Sequence, residues 1–125
     1  MKKEKQFLLE TDIILDYLNF NGEKLKSSLI KFLSEGKCFT TVLNASELYF
    51  ICENNNQSEV VSKFLYSINV LGIHSRYSLK VREYSSHFNN TRDCLFYLVA
   101  LFNNLAIVTK RKNIFPEKEV EIILV

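Results

Sequence analysis

Glycine, proline and tryptophan are scarce in this sequence. Its 125 residues include three glycines, one proline and no tryptophan. Three scattered glycines cannot form the glycine-rich loop with which nucleotide-binding proteins hold phosphates. The sequence also has no serine- or proline-rich stretch, internal repeat or low-complexity tract that would mark a linker. We therefore expect a single domain over residues 1–125.

Cysteine and histidine are few, and their spacing indicates no site. The three cysteines, Cys38, Cys52 and Cys94, form no CxxC pair, and each lies among apolar neighbours. This pattern predicts small buried side chains in a reducing compartment rather than disulfides or zinc ligands. The two histidines have no zinc-binding spacing, and no GxSxG motif indicates a serine hydrolase.

Long apolar runs are absent as well. The longest uncharged apolar run, residues 94–102, is about half of the roughly 20 residues that a membrane-spanning helix needs. Glu10 and Asp12 interrupt the apolar stretch behind the basic start MKKEKQFLL, which argues against a signal peptide. We therefore expect a cytoplasmic protein with no membrane contact.

Apolar and aromatic residues are plentiful. They make up 47% and 13% of the sequence, which is enough for a packed core. The net charge of +2 is too small to indicate a nucleic-acid binder by itself. Basic clusters at residues 2–5 and 110–112 are typical of solvated chain ends and turns.

Short apolar strands alternate with segments of helical periodicity. Strands are predicted at residues 7–11, 37–42, 69–73, 105–109 and 120–124. Helices are predicted at residues 13–20, 24–34, 43–52, 58–68, 75–87 and 92–102, with Gly36 ending the second as a C′ residue. This alternation predicts a single-domain α/β/α sandwich around a mainly parallel sheet of about five strands.

Four carboxylates lie at the ends of predicted elements, and α/β folds bind their ligands beyond the carboxyl ends of the strands. Glu10 and Asp12 lie at the end of the first strand, Glu47 in the helix after the second, and Asp93 at the start of the helix before the fourth. Clustered carboxylates repel one another unless a cation intervenes, and Mg²⁺ or Mn²⁺ prefers such oxygen ligands. Asp12 and Asp93 could instead be helix N-caps. Asp16 is interpreted as structural, either a helix-surface charge or the partner of a lysine.

Three segments carry a resemblance to a known family. "LLETDIILDYL", "TTVLNASELYF" and "NNTRDCLFYLVALFNNLAIVTKRKNIF" resemble, in order and approximate spacing, the motifs of the PIN domain, the nuclease fold of the VapC-type toxins. The resemblance extends over residues 7–115.

The resemblance implies metal-dependent hydrolysis of RNA phosphodiester bonds. By position, the implied catalytic and metal-binding residues are Glu10, Asp12, Glu47 and Asp93, holding Mg²⁺ or Mn²⁺, and the implied substrate-binding residues are Thr109, Lys110 and Arg111. The family also implies an antitoxin partner whose C-terminal segment fills the site, and a homodimer.

Two positions depart from the family pattern. Glu10 stands where the family has its first aspartate, and its extra methylene moves the oxygens by about 1.5 Å. Arg111 stands where many members have an acidic residue or asparagine. It could bind phosphate, or it could pair with Asp93 or Glu10 in place of a metal. The alternative function is thus a catalytically impaired PIN-like domain that binds RNA or a protein. A third interpretation is an α/β interaction module unrelated to PIN domains.

Overall fold

A five-stranded parallel sheet forms the centre of the molecule. The structure is a computed structural model that describes residues 4–18 and 28–125. The strands are β1 (Lys5–Leu9), β2 (Gly36–Thr41), β3 (Asn69–Leu71), β4 (Ala106–Thr109) and β5 (Ile122–Leu124). Their order is β3-β2-β1-β4-β5, and each neighbouring pair is parallel. The predicted fold class is confirmed.

Helices connect the first four strands, whereas residues 110–121 between β4 and β5 contain no helix. The helices are α1 (Thr11–Leu18), α2 (Leu29–Glu35), α3 (Val42–Phe50), α4 (Asn55–Ser67), α5 (Arg76–Tyr84) and α6 (Thr91–Asn103), with a short 3-10 helix at Ser85–His87. The predicted second helix began at residue 24, so its first part lies outside the described residues. The predicted helix over 75–87 is two elements, because the chain tightens to 3-10 geometry after Tyr84.

Apolar side chains cover both faces of the sheet. In β1, Phe7 and Leu9 belong to one buried cluster and Leu8 to the other, as strand alternation requires. The first cluster includes Ile13 of α1, and the second includes Phe96 of α6. The sheet is therefore enclosed by helices on both sides.

The cysteines are structural. All three are free thiols, as predicted, with Cys38 and Cys94 buried and Cys52 half-buried. Burial raises the pKa of the Cys38 thiol to about 11, so this side chain is neutral near pH 7.

Several predicted boundaries need correction. β3 ends at Leu71 rather than residue 73, and β5 begins at Ile122 rather than residue 120. The first strand ends at Leu9 rather than residue 11, because the Glu10 carbonyl already accepts hydrogen bonds from the amides of Ile13 and Ile14 and thereby starts α1. Gly36 is not a left-handed C′ residue. It is extended, with φ −175°, and begins β2.

The two strands that flank β1 end at the same edge of the sheet as β1 does. Since β2 and β4 both run parallel to β1, the starts of α1 and α3 and the loop after β4 meet there. This carboxyl edge is where the predicted site residues lie. Among the described residues, no helix is long and apolar enough to span a bilayer.

Candidate functional site

The structure brings three of the four predicted carboxylates together at the carboxyl edge. Glu10 follows β1 and is 3% exposed, and Asp93, in the first turn of α6, is 4% exposed. Glu47 lies on α3 and is half-buried. All three accept hydrogen bonds from arginine side chains, and we call Glu10, Glu47, Asp93, Arg92 and Arg111 the arginine–carboxylate cluster.

Arg111 links the loop after β4 to two of these carboxylates. Its Nε donates to Glu10 Oε1 at 3.0 Å, and its Nη2 contacts the same oxygen. Nη2 and Nη1 donate to the two oxygens of Asp93 at 2.6 and 3.2 Å. Of the two roles that the sequence left open, the geometry therefore favours pairing with Asp93 and Glu10.

Arg92 links α6 to α3 and β1. Its Nε and Nη2 donate to the two oxygens of Glu47 at 3.1 and 2.7 Å, a bidentate pair. Its Nη1 donates to Glu10 at 3.2 Å and to Asp93 at 3.1 Å. Sequence reasoning missed this residue. The sequence indicated Arg92 only through its position directly before Asp93. An arginine in the first turn of a helix is ordinarily expected to be solvated, so this position did not mark it as a site residue.

Short polar side chains fix Glu47 in place. The Thr11 hydroxyl donates to Glu47 Oε1 at 2.5 Å, and Asn44 Nδ2 donates to the Thr11 oxygen at 2.9 Å. Asn44 is held in turn by the Thr41 hydroxyl, which donates to its Oδ1 at 2.6 Å within the capping box of α3. The start of α3 is thus tied to the start of α1.

Asp93 is also part of a helix cap. Asn90 is the N-cap of α6, and its Oδ1 accepts from the Asp93 amide at 2.8 Å while its Nδ2 donates to Asp93 Oδ2 at 3.0 Å. The N-cap of α6 is thus Asn90, and Asp12 lies inside α1, so the alternative interpretation of Asp93 and Asp12 as helix N-caps is wrong.

Asp12 lies apart from the two guanidinium groups. Its Oδ2 accepts from the Lys110 amide at 3.1 Å, while Oδ1 is buried without a hydrogen-bond partner among the described residues. Asp16, four residues on, forms an ion pair with the Lys110 side chain. The structural interpretation of Asp16 as the partner of a lysine is confirmed.

The three residues predicted to contact substrate have different surroundings. Thr109 is fully buried, and its hydroxyl oxygen accepts from the Arg111 amide at 3.1 Å. Lys110 is exposed and paired with Asp16, and Arg111 is in the cluster. Of the three, Lys110 is the most accessible to a ligand.

Burial and charge pairing shift the three carboxyl pKa values in different directions. Burial raises the pKa of Glu10 above its ordinary value, although Arg92 and Arg111 act to lower it. Burial also acts to raise the pKa of Asp93 and Glu47, but hydrogen bonds from the arginines outweigh it and hold both below their ordinary values. Arg92 and Arg111 have raised pKa values and stay charged.

An open cleft of about 800 Å³ lies over the cluster. It is lined by the polar side chains of the cluster and of Thr11, Asp12 and Asn90, which we call its floor, and by the apolar side chains of Leu15, Phe50 and Ile51, which we call its rim. Phe50 is 91% exposed, and Ile51 is 47% exposed. The cleft thus combines a polar, hydrogen-bonded floor with an apolar rim.

The arrangement does not fit the divalent ion that the family resemblance implies. Glu10 Oε1 and both oxygens of Asp93 and Glu47 already accept from guanidinium nitrogens. A metal ion 2.0–2.6 Å from these oxygens would have to displace those positive groups. Within residues 4–18 and 28–125, no group of three or more His, Cys, Asp or Glu side chains is placed to hold a metal ion.

Comparison with known families supports the resemblance seen in the sequence. The PIN domain family matches residues 7–119. This range contains all three segments on which the resemblance rested. A comparison with curated protein sequences finds no match.

Solved structures share the fold. A structure of VapBC2 from Rickettsia felis bound to a promoter DNA fragment aligns with TM-score 0.72 at 14% identity, over 94% of this chain and 96% of that one. FitAcB from Neisseria gonorrhoeae aligns with TM-score 0.71 at 15% identity, over 94% and 96%. A toxin–antitoxin complex from Klebsiella pneumoniae aligns with TM-score 0.69 at 14% identity, over 91% and 99%.

Proposed function

Because the chain belongs to the PIN domain family, we propose that it is the toxin of a toxin–antitoxin pair. In this proposal the cleft of the chain binds a protein partner and does not carry out metal-dependent RNA cleavage. The observation that carries this proposal is the filled floor of the cleft, where three of the four predicted metal ligands accept hydrogen bonds from Arg92 or Arg111. The aligned Klebsiella structure is a toxin–antitoxin complex, which supports the choice of an antitoxin as partner.

The charge of the cleft favours a protein over RNA as the bound partner. Glu10, Asp12, Glu47 and Asp93 supply four negative charges against two positive ones from the arginines, which leaves two negative charges on the floor. RNA phosphates would be repelled by this excess. A protein segment with a basic side chain would be attracted.

The rim supplies apolar contact area. Phe50, Ile51 and Leu15 all line the cleft, and aromatic side chains beside a concave site are typical anchors for protein partners. Phe50 is 91% exposed, so its burial by a partner would remove most of its surface from water.

The proposal is tested with the antitoxin candidate, a small protein encoded by a gene next to that of this chain. The two proteins are co-expressed and separated, and their binding to each other is then measured by calorimetry. We expect Phe50→Ser to weaken binding of the partner by about tenfold or more, because Phe50 is the proposed aromatic anchor of the interface. Tyr66→Ser is the matched control, because Tyr66 lies on α4, is 92% exposed and does not line the cleft. Equal affinity of the Phe50 and Tyr66 variants would contradict the proposal.

Metal-dependent RNA hydrolysis is a second candidate function. It is favoured by Asp12 Oδ1, a buried carboxylate oxygen without a hydrogen-bond partner in the described part of the chain. Incubation of RNA with the wild type and with Asp93→Asn, in MnCl₂ and in EDTA, separates the two candidates. Cleavage by the wild type that requires Mn²⁺ and is lost in the variant would replace the first proposal with this one.

Other expectations from the sequence and from the family resemblance remain predictions. They are an RNA substrate, a homodimer, a single domain over residues 1–125 and a cytoplasmic location. Sedimentation of the isolated chain would test the homodimer directly.

A further inference from the structure

The arginine–carboxylate cluster and Asp12 together hold as much positive charge as one divalent ion would supply. Arg92 and Arg111 carry two positive charges among four carboxylates, the same +2 as Mg²⁺ or Mn²⁺. We propose that the two arginines jointly replace a divalent cation in this chain, so that the carboxyl edge is held together without metal. The inference rests on the proposed function, since it explains how a cleft built from metal-ligand positions persists without a metal.

The two guanidinium groups bridge the elements that a shared cation would bridge. Arg92 reaches from α6 to Glu47 on α3 and to Glu10 after β1, across 45 and 82 positions of sequence. Arg111 reaches from the loop after β4 to Glu10 and Asp93. Three carboxylates from three different elements are thus joined through two side chains.

Each of the two guanidinium groups packs against a buried aromatic ring. The Arg92 guanidinium carbon lies 5.2 Å from the centre of the Phe96 ring, and that of Arg111 lies 5.4 Å from the Phe115 ring. Cation–π contact of this kind stabilises a positive charge that is partly removed from water. Phe96 and Phe115 are both buried in the core, so the arginines have a fixed support on the side away from solvent.

Geometry also distinguishes this cluster from scattered surface ion pairs. Glu10 and Asp93 have side chains only 3% and 5% exposed, and Arg92 is 24% exposed. Buried carboxylates without positive partners would be strongly unfavourable. Removal of both arginines should therefore leave a group of carboxylates that needs another cation.

The double variant Arg92→Gln/Arg111→Gln tests the inference. Thermal unfolding and calorimetric Mn²⁺ titration are compared for this variant, the wild type and the matched control Arg76→Gln/Arg82→Gln. The control removes the same charge from exposed positions on α5. We expect the melting temperatures of wild type and control to be the same in MnCl₂ and in EDTA. The double variant should melt lower in EDTA, recover part of the loss in MnCl₂, and bind Mn²⁺ at least about tenfold more tightly than the wild type.

Three results would overturn the inference. The first is a wild type that Mn²⁺ stabilises as much as it stabilises the double variant. The second is a double variant that binds Mn²⁺ no better than the control. If the double variant fails to fold in both solutions, the single variant Arg111→Gln is measured by the same criteria, and its failure to bind Mn²⁺ better than the wild type is the third.

The proposed function can fail separately. A wild type that Mn²⁺ stabilises as much as the double variant, without RNA cleavage, overturns the cation replacement and leaves the partner-binding proposal intact. Mn²⁺-dependent RNA cleavage by the wild type overturns the proposed function as well. Absence of Mn²⁺ binding by the wild type, together with no effect of Phe50→Ser on partner binding, overturns the proposed function alone.

Discussion

Asp93 is the carboxylate on which both arginines and a helix cap converge. It accepts from Arg111 Nη2 at 2.6 Å and from Arg92 Nη1 at 3.1 Å, while Asn90 holds its second oxygen. These hydrogen bonds keep its pKa below the ordinary value despite its burial. The charge on Asp93 should therefore stabilise the fold itself, whatever the cleft binds.

The variant Asp93→Asn should lose stability. The amide keeps the size of the side chain but removes the charge that both guanidinium groups require. We expect a loss of about 2 kcal/mol in the free energy of unfolding, less than for a fully buried ion pair because Arg111 is partly exposed. Urea denaturation measures the change. Glu59→Gln, an exposed position on α4, is the control and should stay within about 0.5 kcal/mol of the wild type. Equal losses in the two variants would show that the Asp93 charge is not structural.

Residue identity predicted the carboxylates and offered Arg111 as a partner for Asp93 or Glu10, but it did not predict Arg92. Glu10 and Glu47 follow strand ends and Asp93 lies at the start of a helix, positions that the sequence pattern reveals. Arg92 becomes a site residue only because the N-terminus of α6 packs beside α3 and β1. Such a contact depends on tertiary structure, since the first turn of an isolated helix would leave this side chain in water.

At the level of elements, Gly36 fixes the approach of β2 to β1. It pairs in register with Lys5, and a Cβ at position 36 would collide with the Lys5 carbonyl oxygen. Its backbone is extended, so the requirement is space rather than an unusual conformation. The sequence indicated that a glycine ends the preceding helix, but only the strand pairing shows why a side chain is excluded.

Gly36→Ala should therefore weaken the sheet. We expect a loss of about 2 kcal/mol or more in unfolding free energy, because β1 and β2 must separate to admit the methyl group. Gly72→Ala is the matched control, since a Cβ there meets nothing within 4 Å. The control should be neutral or slightly stabilising through the lower entropy of its unfolded chain. Thermal unfolding of both variants checks the contrast, and a Gly36→Ala protein as stable as the control would refute the steric argument.

At the scale of the whole molecule, the sequence was sufficient to predict the architecture. Alternating apolar strands and helices predicted five strands and their mainly parallel direction, because each crossover is long enough to hold a helix. Strand order depends on packing between distant segments. The start of α4, by contrast, is set by a local contact that the prediction missed: Asn55 begins the helix three residues before the predicted start, because the Asn54 side chain accepts from the Gln57 amide and caps it.

The stability of the fold should depend on pH through two opposing contributions from the carboxyl groups of the cluster. Asp93 and Glu47 have lowered pKa values when folded, so the unfolded chain binds more protons as the pH falls through about 3.8 to 4.5. Their contribution to stability is present above those ordinary values and is lost in acid. Glu10 has a raised pKa, so the folded chain keeps a proton above pH 4.5 that the unfolded chain releases. Its contribution is therefore lost as the pH rises through the folded pKa.

Two variants separate these contributions in melting temperatures measured from acid to neutral pH. Asp93→Asn should make the acid side of the profile less steep, because the variant no longer has a carboxylate that must be protonated on unfolding. Glu10→Gln should make the slope above about pH 4.5 more positive, because the group that loses stability with rising pH is gone. The comparison uses slopes within each variant, so a general loss of stability does not obscure it. Parallel profiles for all three proteins would mean that burial and the arginines leave the titration of Glu10 and Asp93 the same in the folded and unfolded chain.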